Sequence, residues 1–151
     1  MGDRLTKMLS TFFYIGYFPA APGTVASAAG ALIACVLMDN VFLYIVATVI
    51  ITVIGFLVSG DMEKMIKSKD PSCIVIDEVA GIMISFFLLP WNTPVILTTF
   101  FLFRAFDMFK IYPVNKFEAI EGGAGVMMDD LFAGLYTNVT MHIALWLVSI
   151  V

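Results

Sequence analysis

The chain reads as an all-α integral-membrane helical bundle of about four to five spans, with a charged site at its cytoplasmic face. Three observations predict this. Of 151 residues, 61% are hydrophobic and only 13% charged, against roughly 25% charged in soluble domains. The apolar residues gather into five runs of helical length. All eight Lys and Arg residues fall on one side of the map these runs define. Arg4 and Lys7 precede the first run, Lys64, Lys67 and Lys69 follow the second, and Arg104, Lys110 and Lys116 close or follow the fourth. The short connections Asp39-Asn40 and Trp91-Asn92-Thr93 carry none. Basic residues are retained inside during insertion, so the N-terminus is expected inside, the C-terminus outside, and segments 59–78 and 107–130 at the inner surface.

Taken in order, residues 3–18 hold Phe12, Phe13, Tyr14, Tyr17 and Phe18 and read as an interfacial or a partly inserted helix. Thr24–Met38 is rich in Ala, Gly and Ser, which let helices approach closely in lipid, so it is expected inside the bundle. Val41–Val58 is eighteen residues without a charge, about 27 Å of helix. Val79–Leu89 and Pro94–Phe106 are shorter and cross only by including the polar residues at their cytoplasmic ends. Leu131–Val151, with twenty-one residues, is long enough alone. Residues 1–151 form one domain, without internal repeat or low-complexity linker. A water-soluble bundle of buried-core helices is the rival, because several runs are short for a span.

The net charge of -4 and the lack of a basic tract exclude nucleic acid as a partner. Cys35 and Cys73 are not expected to pair in a reducing compartment. Arg4 and Lys7 before Phe12–Phe18 imitate a signal peptide, but Pro19 and Pro22 break the run, so the segment is expected to be retained. Asn138-Val139-Thr140 matches a glycosylation sequon inside an apolar run and is discounted. No motif speaks to oligomeric state.

Four constellations carry chemistry. Asp77-Glu78 stands at a helix entry, where acids complement the helix dipole or ligate a hard cation. Asp129-Asp130 opens the last helix after Gly122-Gly123-Ala124-Gly125, again as an N-cap or as ligands. Four carboxylates drawn together would repel and raise one another's pKa unless a cation sat among them. The glycines can expose amides to an anion, though no Lys-Ser/Thr follows to make a Walker loop. Arg104, Asp107 and Lys110, spaced i, i+3, i+6, fan over one helix face beside an apolar span, as an ion-pair ladder or a phosphate grip. Pro113 is expected to end that helix near Ile111 or Tyr112. Pro22-Gly23-Thr24, with Ser27 one turn on, is a helix start with Thr24 as cap, or a source of amides and hydroxyls for the same phosphate. His142, the one histidine, lies about 18 Å deeper than Asp130 if helical, and suits packing or an interhelical hydrogen bond.

These stretches resemble the phosphatidylglycerophosphatase A family. The matching pieces are Pro22-Gly23-Thr24, Ile76-Asp77-Glu78-Val79-Ala80-Gly81, and Phe103-Arg104 through Asp107-Met108-Phe109-Lys110 and Pro113. The last is Gly122-Gly123-Ala124-Gly125-Val126-Met127-Met128-Asp129-Asp130 followed by Ala133-Gly134. The order and spacing hold from about residue 15 to residue 138. Many members carry Pro directly after the motif lysine, where this chain has Ile111. The resemblance implies a small bacterial inner-membrane enzyme, Mg2+-dependent, hydrolysing phosphatidylglycerophosphate to phosphatidylglycerol and phosphate. The family's acidic positions would be Asp77, Glu78, Asp107, Asp129 and Asp130, and its basic ones Arg104 and Lys110. Residue chemistry then assigns Asp77, Glu78, Asp129 and Asp130 to the metal. Arg104, Lys110, Thr24 and Gly123 go to the substrate phosphate. Asp130 takes the proton of the attacking water, and Asp107 orients the cations or joins the metal.

Other chemistries fit less well. A cysteine phosphatase needs Arg six positions after its Cys, and Val79 stands there after Cys73. A histidine nucleophile needs more than His142. Neither an Asp-x-Asp phosphoaspartate motif nor the Asp-Gly-x-x-Ala-Arg motif of alcohol-phosphate transferases is present. A non-enzymatic cation carrier using the same carboxylates is the alternative. It would spread acids along a path through the membrane, whereas here they gather at one end.

Overall fold

The computed structural model describes residues 2–109, 120 and 122–150. Every regular element among them is helical: α1 (Asp3–Ser10), a 3-10 turn (Ile15–Tyr17), α2 (Pro22–Leu37), α3 (Val41–Ile66), α4 (Ile76–Phe86), α5 (Thr93–Phe109) and α6 (Gly123–Ile150). Lys110, Lys116 and the expected helix end at Ile111, Tyr112 and Pro113 lie outside the described residues.

All five apolar runs are helices, but their ends differ from the expectation. Pro22, not Thr24, opens α2. Its ring suits the first helical position, where no intrahelical N–H bond is lost, and the cap is Ala21 in the left-handed region at φ 50°. Thr24 therefore sits inside the first turn. Asn40 caps α3 by accepting the Leu43 N–H at 3.0 Å. α3 then runs past Val58 to Ile66, because Asp61, Glu63 and Lys64 are compatible with a helix. The inner segment expected over 59–78 shrinks to the loop 67–75. α6 begins at Gly123, so Asp129 and Asp130 lie about two turns inside it and do not cap it. Residues 3–18 are not one helix. α1 has only eight residues, and Phe12, Phe13 and Tyr14 follow it with φ of 43°, 55° and 69°.

The innermost helix is α4. Nine of its eleven residues are buried, among them Val79, Ile82, Met83 and Phe86. α2 lays a stripe of Gly23, Ala26, Ser27, Gly30 and Ala34 inward, at the i, i+3/i+4 spacing of one helix face, while Leu32 and Val36 on its other side are exposed. Small residues let the backbones close. A Cβ on Gly134 would overlap the Gly81 carbonyl, one on Gly81 would meet the Asp130 carbonyl, and one on Gly123 would strike α3 at Phe56. Gly123 and its neighbours thus join α6 to α3, which explains why the helix starts so early.

α3 and α6 are long and apolar enough to cross a membrane. Only 17% and 22% of their apolar windows are buried, so neither is the core helix of a soluble fold. Phe42, Val53, Leu57, Leu97, Phe101, Val139 and Leu147 face outward, a surface far more apolar than water favours.

At eleven residues, α4 is about 16 Å long and ends within the bundle, exposing the orphan carbonyls of a helix C-terminus. Side chains of the long helices satisfy them. Tyr44 Oη donates to the Met83 carbonyl, and Asn138 Nδ2 donates to Phe87 O at 2.8 Å and Ser85 O at 3.1 Å. His142 Nε2 lies 3.2 Å from Phe87 O, the interhelical role expected of it. Asn138→Leu should therefore destabilise the fold by about 1–3 kcal/mol, read as a lower Tm in detergent. An unchanged Tm would remove this cap from the account.

Candidate active site

At the end of the bundle where α2, α4 and α6 begin and α5 ends, the helices leave a cleft of about 330 Å³. Ala21, Pro22, Gly23 and Thr24 form one wall, and Asp70, Ser72 and Ile74 of the α3–α4 loop another. Asp77 and Glu78 enter from the first turn of α4, Arg104 and Asp107 from α5, and Asp129 and Asp130 from α6. The lining thus holds six carboxylates and one described cation, Arg104.

Each side chain is aimed by its helix. Asp77 Oδ1 accepts the Glu78 N–H at 3.0 Å, and Asp129 Oδ1 accepts the Asp130 N–H at 3.2 Å. Asp77, Asp129 and Asp130 are buried. One carboxylate oxygen from each of Asp77, Glu78 and Asp130 falls within 4.8 Å of the others. Asp129, expected among the ligands, lines the same cleft but stands outside this tight group. Arg104 Nη1 pairs with Asp107 Oδ2 at 2.6 Å and reaches Ser27 Oγ at 3.4 Å, while Ser27 donates to the Gly23 carbonyl at 2.8 Å. Of the expected ion-pair ladder, the Arg104–Asp107 step is present, and the guanidinium is held between α5 and α2 at the cleft. Gly23 packs closely on the acids, because a Cβ there would meet Glu78 Oε1 and push that side chain aside.

Burial pushes the Asp77 carboxyl well above the usual carboxylate range, and the Glu78 and Asp130 charges push the same way. Burial also lifts Glu78 to about 7, against the opposing hydrogen bond from Asp77 and the Arg104 charge. Such a group is unstable as a set of bare anions. Glu78 Oε2 is buried without a hydrogen-bond partner among the described residues, and an orphaned carboxylate oxygen is costly unless something binds it. An all-oxygen donor set of this kind suits a hard divalent cation such as Mg2+. The residues present fit that ion.

Of the remaining expected residues, Thr24 lines the cleft mouth. Lys110 lies outside the described residues. Gly123 is not brought to the cleft; it is buried against Phe56 and Gly60 of α3. Sequence reading missed Asp70 and Ser72. Their signal was the turn-forming Ser68-Lys69-Asp70-Pro71-Ser72 just before Asp77. Asp70 (φ 43°) and Ala21 (φ 50°) are both non-glycine residues in the left-handed region, a strain that gathers at functional sites.

Known proteins have related sequences. No solved structure matches the chain. A Bacteroides thetaiotaomicron protein named "Putative phosphatidylinositol-3-phosphatase" is 33% identical over 96% of this chain and 96% of its own length. A phosphatidylglycerophosphatase A from Haemophilus influenzae is 31% identical over 89% of this chain and 85% of its own length. One from Escherichia coli is 33% identical over 85% and 76%. The profile described as Phosphatidylglycerophosphatase A matches residues 8–145. With the match running from α1 almost to the end of α6 and including every described acid of the cleft, the chain belongs to the phosphatidylglycerophosphatase A family.

Proposed function

We propose that this chain is a multi-pass enzyme of the bacterial inner membrane that hydrolyses phosphatidylglycerophosphate to phosphatidylglycerol and inorganic phosphate at its cytoplasmic face. One observation carries the reading: Asp77, Glu78 and Asp130 converge within 4.8 Å beside the fixed guanidinium of Arg104. A phosphomonoester dianion cannot approach six carboxylates unless their charge is offset, which makes a divalent cation part of the site. Asp77, Glu78 and Asp130 would hold Mg2+, with Asp129 on the adjoining wall. When bound, the ion supplies Lewis-acid polarisation of the phosphoryl group.

Arg104 binds the transferring phosphoryl oxygens and stabilises their developing charge, with Lys110 as the second cation. Asp107 and Ser27 hold the guanidinium in place, so less side-chain freedom is lost when the phosphate arrives. Thr24 offers a hydroxyl at the mouth. Asp130, which lines the cleft with Asp107, accepts the proton of the attacking water.

The names of the Haemophilus and Escherichia relatives and of the family support phosphatidylglycerophosphate as substrate. The Bacteroides relative's name makes phosphatidylinositol 3-phosphate the comparison lipid. A cation carrier is disfavoured by the core. Beyond Asp77 and Glu78, α4 meets its neighbours through Val79, Ile82, Met83 and Phe86, with Phe103 of α5 against them, and no further charged side chain lies on α4 to carry an ion onward.

Purified protein should release phosphate from phosphatidylglycerophosphate with Mg2+ and lose that activity in chelator. Faster release from phosphatidylinositol 3-phosphate would reassign the substrate. Asp77→Asn and Asp130→Asn should each lower kcat/KM by about 100-fold or more in protein that elutes normally; near-wild-type turnover would remove them from the site. Gly23→Ala should displace Glu78 and lower turnover by about 10- to 100-fold at little cost in Tm, whereas full activity would show that Glu78 has room to move. In sealed vesicles lacking Cys35 and Cys73, Lys67→Cys and Asn92→Cys should label from opposite sides, and labelling from the same side would overturn the topology.

A further inference from the structure

A second cleft, of about 510 Å³, lies at the same end of the bundle between the C-terminus of α3 and the start of α6. Lys64, Lys67 and Lys69 line it with Ser68 and Glu63, and Gly60 and Gly122 close its floor. The loop 67–75 divides it from the acidic cleft. Lys67, Ser68 and Lys69 line one side, and Asp70, Ser72 and Ile74 line the other. Glu63 ties the divider down, its Oε1 accepting the Asp70 N–H at 2.8 Å.

Retention of basic residues inside and the α3 dipole account for lysines here, but not for three of them lining one hollow. Lys67 also occupies a position that ordinarily favours glycine. It caps α3 at φ 58°, where a Cβ is penalised and Gly or Asn is the usual occupant. A long cation at a strained cap stands beside two further lysines and Glu63 in the same hollow.

We propose that this basic cleft binds the phosphodiester of an anionic phospholipid headgroup, next to but separate from the acidic cleft that takes the phosphomonoester. The proposal rests on the membrane-phosphatase reading for its ligand class. A phosphatidylglycerophosphate headgroup carries both kinds of phosphate, and the acidic cleft offers no described cation other than Arg104. The lysine cleft would take the phosphodiester, leaving the acidic cleft to the phosphomonoester. Two sources share this chemistry, the substrate's own phosphodiester and a neighbouring anionic lipid.

The test compares the full-length protein with Lys64→Gln/Lys67→Gln/Lys69→Gln, and with the single variants in case the triple fails to fold. Native mass spectrometry in neutral detergent measures retention of phosphatidylglycerol against phosphatidylcholine, independently of turnover. Loss of the phosphatidylglycerol preference, on the order of fivefold for each lysine removed, supports the site. Phosphate release in neutral mixed micelles then separates the sources. A raised KM at unchanged kcat with substrate as the lone anion assigns the substrate's phosphodiester. An unchanged KM together with loss of stimulation by added phosphatidylglycerol assigns a second lipid. Unchanged phosphatidylglycerol retention in the variants overturns the proposal, whether or not the wild type hydrolyses the substrate. So does competition by inorganic phosphate alone at equal strength, since it would mark a general anion hollow.

Discussion

The backbone contact between α4 and α6 sets the position of everything else. Gly81 and Gly134 bring the two helices so close that neither residue has room for a side chain. That approach places the first turn of α4, with Asp77 and Glu78, against the turn of α6 that carries Asp130. It works only because α4 is wrapped on every side and cannot shift. Its Val79, Ile82, Met83 and Phe86 share a cluster with Ala26 and Ala34 of α2 and Phe103 of α5, and its Ile76 and Ala80 share one with Val58 and Met62 of α3 and Val126 and Met127 of α6. Close packing turns a sequence pattern of small residues into a fixed geometry for charge.

Burial of the carboxylates opposes that packing. Asp77 and Asp130 are nearly inaccessible, and carboxylates in such surroundings resist ionisation. The bundle holds them together by covalent and helical constraint, which makes the site a preorganised one. The free-energy cost of assembling like charges is met on folding and need not recur in each reaction. The Arg104–Asp107 pair shows the same logic, since the i, i+3 spacing on α5 fixes the guanidinium before any phosphate is present.

Much of this was legible in the chain. Hydropathy located all five apolar helices, and the paired acids, Arg104 and Pro22-Gly23-Thr24 all reach one cleft. What could not be read was depth. Asp129-Asp130 after a glycine run looks like a helix start, because local propensity makes Gly123 and Gly125 poor helix residues. Tertiary contact with Phe56 and Gly60 overrides that preference. The small residues of Thr24–Met38 placed that helix inside the bundle, and they do pack one stripe against α4, while the other face points outward. The centre went to α4, whose shortness made it look marginal. Asp70 and Ser72 were hidden in a loop whose fold depends on Glu63, seven residues away.

The early start of α6 has a consequence for how a lipid could meet the site. Asp130 lies seven residues beyond Gly123, about 10 Å down the helix axis, so the acids sit in a well below the tip of α6. If that tip stands in the headgroup layer, the well reaches toward the depth where an ester-linked headgroup already resides. A diacyl lipid would then never be lifted toward water, a step that would forfeit about 0.8 kcal/mol for every methylene exposed. Encounter becomes lateral diffusion in two dimensions. Turnover would then follow the mole fraction of substrate in the bilayer rather than its bulk concentration.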